Sequence, residues 1–169
     1  MLLVRHLREL SSRLDDASLE QQLGPFVLVQ RPFRAQAISG PKVTQPLDRL
    51  VRGGAVDEFD ELWVITLPPL APGDALVLGR SPDCEVLLDE ATVSGRHAFL
   101  EWDGQAAWLS DLGSSNGTRV NGARLPGRQR LVDRDALDFG RVKVDFMLVG
   151  SLRERLRRGA SNRDTLPPR

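Results

Sequence analysis

From Leu62 to Leu148 the chain repeats one device, a short apolar or alternating segment followed by a turn. The segments are Leu62 to Leu67, Ala75 to Leu78, Glu85 to Leu88, His97 to Trp102, Ala106 to Leu109, Arg119 to Val120, Ala136 to Phe139 and Val142 to Leu148. In the last of them Val142, Val144, Phe146 and Leu148 share one parity and Lys143 and Asp145 take the other. That is the period of a strand with one buried face. Asp103-Gly104, Asn116-Gly117 and Asn121-Gly122 are dipeptides suited to tight turns. Many short strands separated by such turns specify a mainly β fold, a sandwich or barrel, and argue against a parallel α/β sheet.

The flanks read differently. Residues 2 to 22 carry a helical period, with Leu3, Leu7, Leu10 and Leu14 on one stripe and Gly24-Pro25 as the stop. Such a helix packs on its own domain or pairs with a second copy as a homodimer, although two heptads are short for an independent coiled coil. Phe26 to Gln30 predicts one strand, Phe33 to Thr44 a loop, and Pro46 to Arg52 a short helix ended by Gly53-Gly54. From Gly150 onward six arginines face two acids, and Leu152 and Leu156 allow one or two helical turns before Gly159. The expectation there is a basic, solvated, partly disordered tail. The chain thus divides into an N-terminal α-helical and mixed extension over 1–60, a β-sandwich over 61–149 and a tail over 150–169.

Composition narrows the function. Twenty-three basic and 23 acidic residues leave a formal charge of zero, which argues against a protein that coats nucleic acid or an anionic membrane. No apolar run exceeds four residues, whereas a membrane-spanning helix needs about 20. Arg5, Arg8 and Glu9 interrupt any signal-peptide core. The single cysteine, Cys84, makes neither an internal disulfide nor a cysteine-rich zinc site. The cytoplasm is therefore the expected compartment. His6 and His97 show no metal-ligand spacing, no nucleotide-type phosphate loop is present, and no metal or cofactor is expected.

Three polar clusters punctuate the strands: Leu78-Gly79-Arg80-Ser81, Val93-Ser94-Gly95-Arg96-His97, and Asp111 to Thr118. In a sandwich, loops at one end of the strands gather into a single surface. Arg80 offers a planar, permanently charged fork that matches a phosphate. Ser94 and Ser115 offer hydroxyl donors, Gly95 leaves its backbone N–H open to close approach, and Asn116 donates and accepts at once, which suits an extended peptide backbone. One arginine with several neutral donors fits a single phosphate on a peptide rather than a polyanion.

Gly79-Arg80, then Ser94-x-x-His97, then Asn116-Gly117, at these spacings, resemble the signature of forkhead-associated domains. So do the stretches LGRSPDCEVLLDEATVSGRHAFLEW, LSDLGSSNGTRVNG and DALDFG around them. The resemblance covers roughly residues 62 to 149. It implies an eleven-stranded sandwich that binds phosphothreonine peptides through its loops. By that pattern Arg80 and Ser94 hold the phosphate, Ser115 and the Gly95 N–H complete the cradle, and Asn116 pins the peptide backbone. Gly79, His97 and Gly117 are architectural, with His97 fixing the loops through hydrogen bonds. Thr92 and Arg96 occupy positions that influence specificity or supplement the phosphate site. One departure stands out: the family often places Arg, Lys or Asn after Ser94, where this chain has Gly95, at a cost of about 1.5–3 kcal/mol if a charge-assisted hydrogen bond is lost.

Ser94, His97 and Asp111 are also the residue types of a hydrolase triad, but the chain lacks a Gly-x-Ser-x-Gly elbow. Cys84 sits in a Pro-Asp-Cys turn, where an inert, partly buried thiol is usual. The expected function is a non-catalytic cytoplasmic adaptor with no effector domain of its own. It would capture a partner bearing phosphothreonine made by a serine/threonine kinase. The alternative is a phosphate-independent scaffold or dimerisation module, in which Arg80 pairs with Asp83 or Asp111. Thr165 in the tail is a conceivable intramolecular target.

Overall fold

The structure is a computed structural model and describes residues 2–11, 16–31 and 58–161. In chain order the elements are β1 (Leu2–Leu3), α1 (Val4–Ser11), α2 (Asp16–Leu23), β2 (Phe26–Gln30) and a 3-10 turn (Glu58–Glu61). There follow β3 (Trp63–Ile65), β4 (Ala75–Gly79), β5 (Val86–Leu87), β6 (Ala98–Trp102), β7 (Ala107–Asp111) and β8 (Thr118–Val120). The chain ends with β9 (Ala123–Arg124), β10 (Gln129–Arg130), β11 (Ala136–Phe139), β12 (Val142–Leu148) and α3 (Val149–Ser161). The strands form a seven-stranded sheet, in the order β1-β3-β2-β12-β11-β8-β9, and a five-stranded sheet, in the order β10-β7-β6-β4-β5. Strands β4 and β5 run parallel, and the other pairs are antiparallel.

Alternation sorts the side chains into two cores. Leu28, Leu78, Leu100, Leu109, Leu137, Phe139 and Phe146 meet between the sheets. Val27, Val29, Val64 and Met147 point to the other side of the larger sheet, where Val4, Leu7, Leu19, Leu23, Leu152 and Leu156 of the helices cover them. Strand β2 is therefore buried on both faces, which explains why Phe26 to Val29 is continuously apolar rather than alternating. Asn121 (φ 52°) and Gly122 (φ 82°) form the two-residue connection of the β8–β9 hairpin, as Asn-Gly does where both central residues need positive φ.

The eight expected strand segments are present with small shifts at their ends, and three two-residue strands, β1, β9 and β10, join them. The helix expected over 2–22 is more complex. Leu2 and Leu3 pair with Val64 and Trp63 as a strand, because they continue the edge of the larger sheet. Helices α1 and α2 follow, and α2 stops at Gly24, whose φ of 76° suits a left-handed cap. The loop over 33–44 and the helix over 46–52 lie outside the described residues.

At the start of the basic tail, residues 149–161 form a 13-residue helix, longer than the one or two turns expected there, while the rest of the tail, Thr165 included, lies outside the described residues. Leu152 is 0% and Leu156 1% exposed, and α3 packs against α1 as a direct continuation of β12. A glycine inside a helix costs about 1 kcal/mol, so Gly159 lowers the helical preference without outweighing two buried leucines. No helix among the described residues is long and apolar enough to cross a membrane. Leu152→Ala is expected to destabilise the protein by about 2–5 kcal/mol in urea unfolding. An unchanged midpoint would mean that α3 contributes nothing to the fold.

Candidate functional site

The three polar clusters lie on neighbouring loops because the strands that carry them are neighbours. Strand β4 delivers Arg80, the turns before β6 deliver Ser94 and Gly95, and the β7–β8 loop delivers Ser115 and Asn116. The Arg80 N–H donates to the Ser94 carbonyl at 3.0 Å and the Ser81 N–H to the Gly95 carbonyl at 3.0 Å. This approach requires glycine at 79. A Cβ there would stand 2.1 Å from the Gly95 carbonyl oxygen and 2.9 Å from the Cys84 Sγ.

His97 joins the same loops from beneath and is fully buried. Its Nδ1 accepts the Ser94 backbone N–H at 3.0 Å, so its proton sits on Nε2, which faces the Gly117 carbonyl at 3.3 Å. Burial pushes the imidazole below its ordinary pKa, against the opposing pull of the Gly117 carbonyl and the Asp111 charge. The ring also stands edge-on to Phe139, with centroids 5.7 Å apart. Ser94 and His97 thus meet through backbone N–H and ring rather than through the serine hydroxyl. Asp111 does not orient the ring: His97 Nδ1 is already engaged by Ser94. A hydrolase relay is absent from this constellation.

Above the histidine is a rim of donors. The Ser94 Oγ accepts the Ser115 N–H at 3.0 Å, which leaves the Ser94 hydroxyl proton free to donate outward. The Arg80 side chain is exposed; its Nε reaches the Val93 carbonyl at 3.3 Å, and among the described residues no carboxylate pairs with it. Asp83 pairs instead with Arg96 at 3.7 Å. Asp111 accepts from the Gly113 and Ser114 N–H groups, both at 2.8 Å, and from the Ser114 and Thr118 hydroxyls, both at 2.6 Å. Both structural partners considered for Arg80 are therefore engaged elsewhere. Burial would raise the Asp111 pKa, but these four bonds outweigh it and bring the group to about 2.

Asn116 is exposed, and its Nδ2 donates to the Thr92 carbonyl at 2.7 Å. Thr92 turns its hydroxyl inward: it donates to Glu90 and accepts the Arg141 N–H at 2.8 Å. Its backbone N–H also binds Glu90, at 2.8 Å. Gly140, with φ 58°, makes room, since a Cβ there would lie 2.4 Å from the Thr92 hydroxyl. The Thr92 side chain is thus committed to holding the loop rather than to the open surface. Glu90 and the anchoring role of Asp111 were not singled out from sequence. The Asp111 bonds to residues two and three places on are an Asx-turn pattern, for which Asp-Leu-Gly-Ser was a legible signal. Glu90 had none beyond its nearness to Thr92.

Two stacked sheets with this loop rim define a forkhead-associated (FHA) domain. Residues 76–140 match the family model for the FHA domain, so the chain carries an FHA domain over that stretch. Over 68 residues it is 41% identical to the FHA domain-containing protein FhaA of Mycobacterium tuberculosis, a match covering 40% of this chain and 13% of that protein. Over 69 residues it is 36% identical to the glycogen accumulation regulator GarA of Mycolicibacterium smegmatis, covering 41% of this chain and 43% of that protein. The chain spans less than half the length of either relative. The FHA domain of the CT664 protein from Chlamydia trachomatis superimposes with a TM-score of 0.51 over 73% of this chain and 96% of that one. At 18% identity that is a likeness of fold.

Gly79→Ala is expected to cost about 3 kcal/mol, because the collision is with backbone that also carries the site. A variant with wild-type urea midpoint would sink this account of the close approach. His97 yields a pH dependence. Its folded pKa lies below the unfolded value of about 6.5, so the unfolded chain binds the extra proton. The stability present above about pH 6.5 therefore falls as pH drops through that value toward the folded pKa, by at most about 1.4 kcal/mol per pH unit. Urea midpoints from pH 8 to 5 test this, with His97→Gln expected to remove the slope.

Proposed function

We propose that this chain is a non-catalytic adaptor that captures a phosphothreonine on a partner protein. The observation that carries the reading is Arg80: an exposed guanidinium, held at its Nε by the Val93 carbonyl, with no carboxylate partner among the described residues and neutral donors around it. Its remaining N–H groups can grip two phosphate oxygens at once. The Ser94 hydroxyl, polarised by the Ser115 N–H, donates to a third, and the Gly95 N–H and the Ser115 hydroxyl complete the cradle. Asn116, tied to Thr92 through Nδ2, keeps its Oδ1 for a backbone N–H of the peptide.

The match to the FHA family, whose relatives include a regulator such as GarA, supports an interaction module acting through the partner it recruits. The phosphate comes from a serine/threonine kinase, and the partner meets the adaptor in the cytoplasm. Binding needs no metal or cofactor, and the module prefers phosphothreonine to phosphoserine through contact with the extra methyl group. A phosphate-independent scaffold gains support only from Gly95, which lacks the side-chain donor common at this position.

Fluorescence anisotropy with phosphothreonine, phosphoserine and unphosphorylated versions of a peptide library tests the reading. Arg80→Ala is expected to lower phosphopeptide affinity by about 10- to 150-fold, the equivalent of about 1.5–3 kcal/mol. Unaltered affinity in a folded Arg80→Ala variant would move the phosphate elsewhere. Gly95→Arg is expected to tighten binding by about tenfold. A Cβ at 95 meets only the Ser81 Cβ, at 3.9 Å, so the backbone there leaves room for a side chain to begin.

A further inference from the structure

Beside the phosphate rim runs an open groove of about 390 Å³, lined by Ser110, Gly113, Thr118, Arg124, Pro126 and Arg128, with Asp111 at its wall. Its charges are unevenly matched. The Asp111 carboxylate is filled by its four internal donors. Arg128 donates to Glu101 at 2.8 Å and lies 4.2 Å over the Trp108 ring, so its charge is answered outside the groove. Arg124 is exposed and has no carboxylate partner among the described residues. Its guanidinium lies against Gly117, 3.2 Å from where a Cβ on that residue would stand, and so borders the Asn116-Gly117 turn of the phosphate site.

A second cation adds to it. Arg119 is the direct cross-strand partner of Arg124 in the β8–β9 hairpin. Like charges placed opposite one another on one face of an antiparallel pair repel. On its other side Arg119 faces Asp138, whose carboxylate is held by Lys143 at 2.9 Å. Among the described residues Arg119 itself hydrogen-bonds only the Gly122 carbonyl, at 3.3 Å. The hairpin thus carries a repulsive pair that an anion would relieve, at the border of the surface that receives the peptide.

We propose that this groove is a second anion subsite, in which Arg124, backed by Arg119, takes the acidic group of a residue flanking the phosphothreonine. The inference rests on the phosphothreonine reading of the neighbouring loops and adds to it the class of peptide preferred. The acidic group is an Asp or Glu carboxylate or a second phosphate, both of which match a guanidinium fork. The contact is solvent-exposed, so it works as a selectivity filter and weakens with salt.

The test is an anisotropy series with phosphothreonine peptides that carry Asp, Glu, a second phosphothreonine, Gln or Lys at each flanking position in turn. Wild-type protein is expected to favour an acidic group over Gln at one position by about three- to fivefold at low salt, the ratio shrinking at high salt. Comparing the carboxylate arms with the second-phosphate arm identifies the source of the charge. Arg124→Gln is expected to collapse the acid-to-Gln ratio to about one, and Arg124→Glu to turn the preference toward Lys. Phosphopeptide binding without any acidic preference, or a preference that survives Arg124→Gln, overturns the subsite and leaves the phosphothreonine reading intact. No binding of any phosphopeptide overturns both.

Discussion

A neutral imidazole sealed from water holds this candidate binding surface together. His97 accepts the Ser94 N–H on one nitrogen and points its other at the Gly117 carbonyl, so one ring fixes the spacing between two loops. Only the neutral tautomer with the proton on Nε2 can do this. A second proton on Nδ1 would turn it toward the Ser94 N–H, setting donor against donor in a place water cannot reach. Burial lowers the ring's pKa and favours the form the loops require. The close passage of Gly79 beneath Gly95, and the Ser94 to Ser115 bond above, depend on that same spacing.

Charge is sorted around this hub. The chain is neutral as a whole, yet the acids near the rim are satisfied by internal donors: Asp111 by its own loop, Glu90 by Thr92, and Asp83 by the Ser81 hydroxyl first, then by its own backbone N–H and Arg96. The cost of holding loops in place is met with carboxylates, and the outward-facing groups left over are a guanidinium, hydroxyls and N–H groups. The rim therefore offers donors suited to an anion without being strongly basic. On the proposed reading, a site of that kind would distinguish one phosphate in a peptide context from a nucleic-acid backbone, whose capture draws on many cations at once.

Much of this was legible in the sequence where side-chain parity or turn chemistry set the structure. Alternation in Val142 to Leu148 marked β12, and Asn121-Gly122 marked the β8–β9 hairpin because that turn demands positive φ at both residues. The motif residues Arg80, Ser94 and Asn116 fall on adjoining loops as their strand context implied. Two-residue strands such as β9 and β10 carry no periodicity to read and exist only as partners of longer neighbours. Helix α3 was hidden by its arginines and Gly159; what stabilises it is an apolar sheet face contributed by strands distant in sequence. Glu90 and Arg124 were illegible for the same reason. Their importance comes from Thr92 and Gly117, which the fold brings to them.

The helical layer is part of the domain rather than an ornament on it. The family match begins at Leu76 and ends at Gly140, yet β2 sits in the larger sheet between β3 and β12, and β12 closes that sheet onto β11. Without residues 26–30 both neighbours would lose a ladder and the inner core would lose Phe26 and Leu28. Adding β2 creates a second problem, because Val27 and Val29 on its other face join Val64 and Met147 as exposed apolar surface. Helices α1, α2 and α3 cover that surface, which spends Val4, Leu7 and Leu152 inside the chain. Their apolar residues are thus committed to the sheet, while the loops at its edge carry the donors that remain open.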